Sequence, residues 1–304
     1  YSSDDADVMR QHIQWAQAAG IDGFIVSWKS TEKLNRRLAQ LVELADEENF
    51  KLAIIYQGLD FERDPLPPKQ VDSDLIYFID LYAAHPVFDI FAKPLVIWSG
   101  SWKFSAEEIQ SVVEPKRDRV LILATEKNVE GYQRVADLMD GNAYYWSSVN
   151  PATHPGYAEK LAAMGEAVHD KGGVWIAPAA AGFDARLIGG TSVVERLDGE
   201  TLRIEMDTAL QSAPDAIGLI SWNEFSENSH IEPSQTFGNR YLQVLEEVRT
   251  LPAPKVSDFD SSGPAGIDLG NLGPFTALFF ISALITVSLL IIIIRTHRMN
   301  KKKV

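Results

Sequence analysis

The chain has 304 residues, 46% of them apolar and 23% charged, enough for one large domain with a sizeable core plus appendages. Its formal charge of −14 argues against nucleic acid, a polyanion, as a partner. With no cysteine, disulfides, thiolate metal sites and cysteine nucleophiles are excluded.

No signal peptide is visible and the chain begins at Tyr1 rather than at a methionine, so a front end is expected to precede it. Apolar residues three and four apart predict a first helix over Asp4–Ala19, and a β-rich apolar run predicts a strand over Ile21–Trp28. The alternation continues with a helix at Thr31–Glu48, a strand at Lys51–Gln57, a helix at Ser73–Ala84 and a strand at Pro94–Ser99. A helix at Ser105–Val113 and strands at Val120–Ala124 and Asn142–Trp146 follow. Then come a helix at Tyr157–Lys171, a strand at Val174–Pro178, a helix at Gly199–Ala213 and a strand at Ala216–Trp222. Strand and helix in alternation imply an α/β fold with a parallel sheet covered by helices. Seven strands predict a (β/α)8 TIM-type barrel over residues 1–250 that lacks its first strand, whose place lies just upstream of Tyr1. A doubly wound open sheet is the structural rival, but no Gly-x-Gly-x-x-Gly turn follows any strand.

On such a barrel the chemistry sits where strands end. Those positions carry Trp28, Tyr56, Trp98, Glu126, Tyr145, Asp184, Arg186 and Asn223, a mixture of aromatic and hydrogen-bonding groups that suits the apolar faces and hydroxyl rims of sugars. Each aromatic taken singly fits a core better than a sugar subsite, and their position as a set carries the sugar reading. Asp184 and Arg186 read equally as a clamp for hydroxyls or as a structural ion pair.

The last strand leads into Ser221-Trp-Asn-Glu-Phe-Ser-Glu227, which sets Glu224 and Glu227 three residues apart. If the chain turns helically there, the two side chains project together, roughly 5–6 Å between Cβ atoms. Two carboxyl groups at one bond are what glycosidic cleavage requires. Glu-x-x-Glu alone is a common pattern on solvated helices. Here Trp222, Asn223, Phe225, His230 and Glu232 accompany it, a mixture that a solvated face rarely carries.

The six histidines, at 12, 85, 154, 169, 230 and 297, have no metal-ligand spacing, so neither a metal nor another cofactor is expected. Residues 251–274, rich in Pro, Gly, Ser and Asp, read as a flexible stalk. Residues 275–294 carry no charge and would span about 30 Å as a helix, so a single membrane crossing is expected there, with the lipid bilayer as a partner. The tail 295–304 holds five of the 28 basic residues and no acidic one, which places it in the cytoplasm and the barrel outside. The rest of the chain then holds 23 basic against 42 acidic residues, a charge of −19.

Several segments together carry a resemblance. Tyr1-Ser-Ser-Asp-Asp5 followed by His12, the run Ala19–Trp28, the turn Ala181–Arg186, and Ser221–Glu227 with Ile231-Glu-Pro233 and Phe237-Gly238 resemble the family 99 glycoside hydrolases over residues 1 to about 248. The resemblance implies endo-acting, retaining hydrolysis of α-linked, mannan-like glycans through a 1,2-anhydro sugar. It gives Glu224 the part of the base that takes the proton of the 2-hydroxyl, and Glu227 the part of the acid that protonates the leaving oxygen. Two departures stand out: Phe225-Ser-Glu-Asn-Ser229 where members commonly show Trp-His-Glu-Gly-Thr, and Gln57 where a carboxylate is common. The resulting expectation is a hydrolase acting on an oligo- or polysaccharide. Its rival is a carbohydrate-binding or polysaccharide-assembly protein that keeps the barrel without turnover.

Overall fold

In a computed structural model, which describes residues 1–250, 277–281 and 289–294, each of the seven expected strands is present, and helices alternate with most of them. The chain opens with α1 (Ala6–Ala18), whose N-terminus is capped by the Asp5 side chain accepting from the Asp7 N–H at 3.0 Å. Next come β1 (Gly23–Trp28), α2 (Glu32–Glu47) capped by Thr31, β2 (Lys51–Gln57) and α3 (Pro68–Tyr82). The start of α3 lies five residues before the expected Ser73, because Pro68, with no N–H to lose, suits the first turn of a helix. They are followed by β3 (Leu95–Ser99), α4 (Ala106–Val113) with a Ser105–Glu108 capping box, and β4 (Leu121–Leu123).

A helix outside the sequence expectation, α5 (Val129–Val135), is started by Asn128 and leads to β5 (Gly141–Ala143). That strand stops before Tyr144, Tyr145 and Trp146, which leave the sheet. The chain continues through α6 (Tyr157–His169), β6 (Val174–Ala180), a hairpin of β7 (Phe183–Asp184) and β8 (Val193–Val194), α7 (Glu200–Gln211), β9 (Ala216–Ile220) and α8 (Arg240–Thr250).

Parallel pairing runs β4-β3-β2-β1 on one side and β9-β6-β5 on the other. The bridge from Ala124 to Asn142 joins β4 to β5, so the sheet curls toward a barrel. Every residue of β1 and of β9 is buried, as expected where helices cover one face and a packed interior the other.

β1 and β9 flank the place expected for a first strand, and they do not pair with each other. Between them lie β10 (Ala277–Ile281) and β11 (Leu289–Ile294), with Phe279 beside Gly218 and Phe24 beside Ile291. These eleven residues therefore depart from the membrane helix expected over 275–294, and among the described residues no helix is long and apolar enough to cross a membrane. The physical reason is local: an apolar run rich in Ile and Leu satisfies its backbone equally in a helix or on the open edges of two strands. The rest of that run, the stalk at 251–274 and the basic tail at 295–304 lie outside the described residues.

Candidate active site

The loop after β9 is tied to itself. Ser221 N–H donates to Ser229 O (3.0 Å), Ile231 N–H to Ser221 O (3.0 Å) and Glu232 N–H to Trp222 O (2.9 Å), while the Ser221 and Ser229 hydroxyls meet at 2.9 Å. Trp222 is fully buried against Phe24, ring centroids 5.4 Å apart, and against His12 at 5.7 Å. Arg196 braces the far side of the loop. Its Nη2 donates to Asn228 O (2.8 Å) and His230 O (2.7 Å), and its guanidinium lies over Phe237 and Tyr241, 4.4 Å from each ring centre.

This scaffold gives the two carboxylates different surroundings. Glu224 is almost wholly buried; its backbone N–H donates to Ser221 Oγ (3.0 Å), and its Oε1 accepts from the Ser226 hydroxyl at 2.6 Å, a donor that suits an ionised carboxylate. Glu227 is half-buried in the wall of a cavity of about 650 Å³. Burial, and after it the Glu224 charge, push its pKa up to about 7 against the opposing pull of Arg63. Its backbone carbonyl accepts from Asp184 N–H at 2.7 Å, so the β7–β8 hairpin anchors this wall. Tyr145 lines the same cavity, and burial together with the charges of Glu227 and Glu224 drives its hydroxyl pKa up. A carboxyl with a raised pKa in the cavity wall, beside a second carboxyl that accepts a hydroxyl hydrogen bond, is an arrangement that can serve acid–base chemistry.

Of the eight expected sugar-binding residues, Tyr145 lines the cavity and the other seven do not, four of them being buried in the core. Trp28 is 1% exposed, with its indole N–H on Asn35 Oδ1 (3.0 Å) and its ring against Tyr77 and Phe78. Tyr56 is fully buried and donates to Asp74 Oδ2 at 3.0 Å. Trp98, also fully buried, packs on Phe104 at 4.8 Å between centroids. Glu126 is buried beneath the floor, accepting from Ser101 Oγ (2.8 Å) and Arg134 Nη2 (3.2 Å). The correction has one cause. Successive side chains of a strand point to opposite faces, and the cavity takes Ser27, Gln57, Ser99 and Thr125, each adjacent in sequence to one of those four.

Asp184 and Arg186 form a bidentate ion pair, Nε to Oδ1 at 2.8 Å, so the structural alternative describes them, and neither lines the cavity. Asn223 donates to the Tyr1 hydroxyl (3.3 Å), which itself donates to Glu232 Oε2 at 2.8 Å, in a separate small crevice shared with His12. Burial pushes Glu232 up to about 7 and, with the N-terminal amine, His12 down to about 4.

Tyr56→Phe is accordingly expected to lower unfolding free energy by about 1–3 kcal/mol, since buried Asp74 loses a donor. Glycan affinity should stay as it is; denaturant titration and calorimetry read the two, and a loss confined to affinity would return Tyr56 to the site.

Sequence reasoning passed over Lys29, Phe61, Arg63, Trp102 and Lys127, all in the cavity wall. The strand-end rule contained a signal for Lys29 and Lys127, which follow Trp28 and Glu126 directly. Phe61 and Arg63 sit on the loop between β2 and α3, where periodicity is silent. Among the described residues no group of His, Asp and Glu side chains could hold a metal ion.

The profile of glycosyl hydrolase family 99 matches residues 1–247. Among solved structures, the chain is similar to the GH99 endo-alpha-mannosidase from Bacteroides thetaiotaomicron at 20% identity and a TM-score of 0.71, covering 82% of this chain and 80% of that one. The complex of that enzyme with bis-tris-propane aligns at the same identity with a TM-score of 0.72, over 82% of this chain and 85% of that one. A GH5_18 protein from Streptomyces cattleya in complex with GlcNAc is more distant, at 13% identity and a TM-score of 0.52 over 83% and 77% of the two chains.

Proposed function

Because the chain belongs to glycosyl hydrolase family 99, we propose that it cleaves α-linked, mannose-configured glycans internally, with retention, through a 1,2-anhydro sugar. The observation that carries this reading is the pairing of Glu227, lifted to about 7 in the cavity wall, with Glu224 held by Ser226. In an α-mannoside the 2-hydroxyl lies opposite the leaving group, so it can attack C1 from behind. Glu224 takes the proton of that hydroxyl as O2 bonds to C1, and Glu227 gives its proton to the departing glycosidic oxygen. Glu227 then takes a proton from water as the water oxygen attacks C1, and Glu224 returns a proton to O2. Each carboxyl ends in the state in which it began.

The test is proton NMR of the products from α-linked manno-oligosaccharides, neutral and charged. First-formed α-anomers with the 2-hydroxyl intact support the reading; β-anomers first, or binding without cleavage, overturn it, and the latter outcome is the carbohydrate-binding alternative.

The pH profile follows from Glu227. The acid works only while protonated, so kcat/KM is expected to fall as pH rises through about 7. Arg63 opposes the upward shift, so Arg63→Met moves this limb to higher pH; a limb that stays put or moves down would remove Glu227 from the acid role.

The sequence also supports a membrane tether through 275–294, and for the same residues a tether and the strands β10 and β11 exclude each other. Extraction of the full chain decides: release by alkaline carbonate favours the strands, and retention until detergent is added favours the tether.

A further inference from the structure

The cavity wall is cationic in an acidic protein. Lys29, Lys33, Arg63 and Lys127 line it, against the two acids Asp60 and Glu227, whereas the whole chain carries −14. Asp60 is engaged with its own loop, accepting from Asp64 N–H at 2.9 Å. Arg10, Arg37, Lys116, Arg203 and Arg240 each hold a carboxylate partner elsewhere in the protein. Among the described residues the four cavity cations show no such ion pair. Two of them stand on aromatic faces instead: Lys29 Nζ is 5.1 Å from the centre of the Phe61 ring, and Lys127 Nζ is 4.2 Å from that of Trp102. Phe61 is 67% exposed, an open platform of the kind on which a sugar ring stacks.

A neutral glycan does not account for this. Tyr145, Trp146, Gln57 and Ser27 already supply stacking faces and hydroxyl partners in the same wall. Bringing an uncharged chain against four full charges strips water from the ammonium groups without an opposite charge in return. A sugar with an anionic substituent supplies that charge. A concave wall of one sign also draws such a chain in from solution despite the repulsion of the acidic body.

Resting on the hydrolase reading above, we propose that the substrate is an anionic mannose-configured glycan, its carboxylate or sulfate ester held between Lys29 on Phe61 and Lys127 on Trp102, with Arg63 and Lys33 completing the field.

The test is calorimetric binding to Glu224→Gln protein, full chain, which cannot turn the ligand over and leaves the cavity wall intact. The probes are α-1,3-linked mannotetraose, whose 2-hydroxyls are free for attack on C1, its 6-carboxylate obtained by selective oxidation, and its 6-sulfate. At about 0.01 M salt the charged probes should bind at least about tenfold tighter than the neutral one, and the gap should narrow at about 0.15 M as screening sets in. Lys29→Met with Lys127→Met should erase most of the gap between the charged probes and the neutral one. A preference for one charged probe identifies the anion. Equal affinities, a preference that survives the double variant, or no binding of any probe overturns the proposal. Wild-type protein assayed on the same probes separates the two readings: cleavage with equal affinities leaves the hydrolase standing, and charged-probe preference without cleavage leaves the anion site standing and sinks the hydrolase.

Discussion

Glu227→Gln is expected to lower kcat by about 10²–10⁴ on an unactivated glycan, the usual contribution of a positioned acid, and by much less on a substrate with an aryl leaving group that departs without a proton. Glu224→Gln should lower both rates together, because removal of the 2-hydroxyl proton is needed whatever group departs. The asymmetry follows from the surroundings of the pair. Glu227 faces the cavity and is pushed up to about 7, whereas Glu224 sits behind it on the Ser226 hydroxyl. Amide replacements keep size and shape, so folding is not at issue, and thermal melts of both variants check it. Steady-state kinetics on the two substrate classes distinguish the roles: equal losses for both variants on both substrates would mean that no division of labour exists, and full activity in either would remove that residue from the chemistry.

Trp222→Ala is expected to cost about 3–5 kcal/mol of stability, the range for emptying a buried aromatic site, and to reduce kcat as well. The ring is fully buried between Phe24 and His12, and its backbone carbonyl accepts from Glu232 and Ile231 N–H groups. It is therefore the peg that seats the loop carrying Glu224 and Glu227. Trp222→Phe keeps most of the apolar contact, so it should recover most of the stability and activity together. Denaturant unfolding monitored beside kcat checks the link. A stable but inactive Trp222→Phe protein would give the indole a part in substrate contact, against its burial.

Much of this site was legible in the chain because its parts are local. Glu224, Glu227, Trp222 and Asn223 fall within six residues of one another at the end of a strand, and a parallel α/β barrel delivers strand ends to one mouth whatever the details of packing. The family's segments, spread from Tyr1 to Gly238, could be recognised without coordinates for the same reason. The cavity wall was not local. The aromatic and acidic residues Trp28, Tyr56, Trp98 and Glu126 come from the expected strand ends, but their neighbours Ser27, Gln57, Ser99 and Thr125 face the cavity. Trp28 pairs in register with Tyr56, and Tyr56 with Trp98, so one choice of face moved three of the four residues together.

From composition and order of residues alone came the class of fold, the count of its seven own strands, and the carboxylate pair at the end of β9, since each depends on periodicity or on spacing along a few residues. Packing alone decided which face of each strand looks inward, because strands buried on both sides are apolar throughout and carry no alternation to read. It likewise decided that 277–281 and 289–294 lie as strands between β1 and β9, since an uncharged run meets its hydrogen-bonding needs in a helix or beside any open edge, and only the presence of two such edges selects between them.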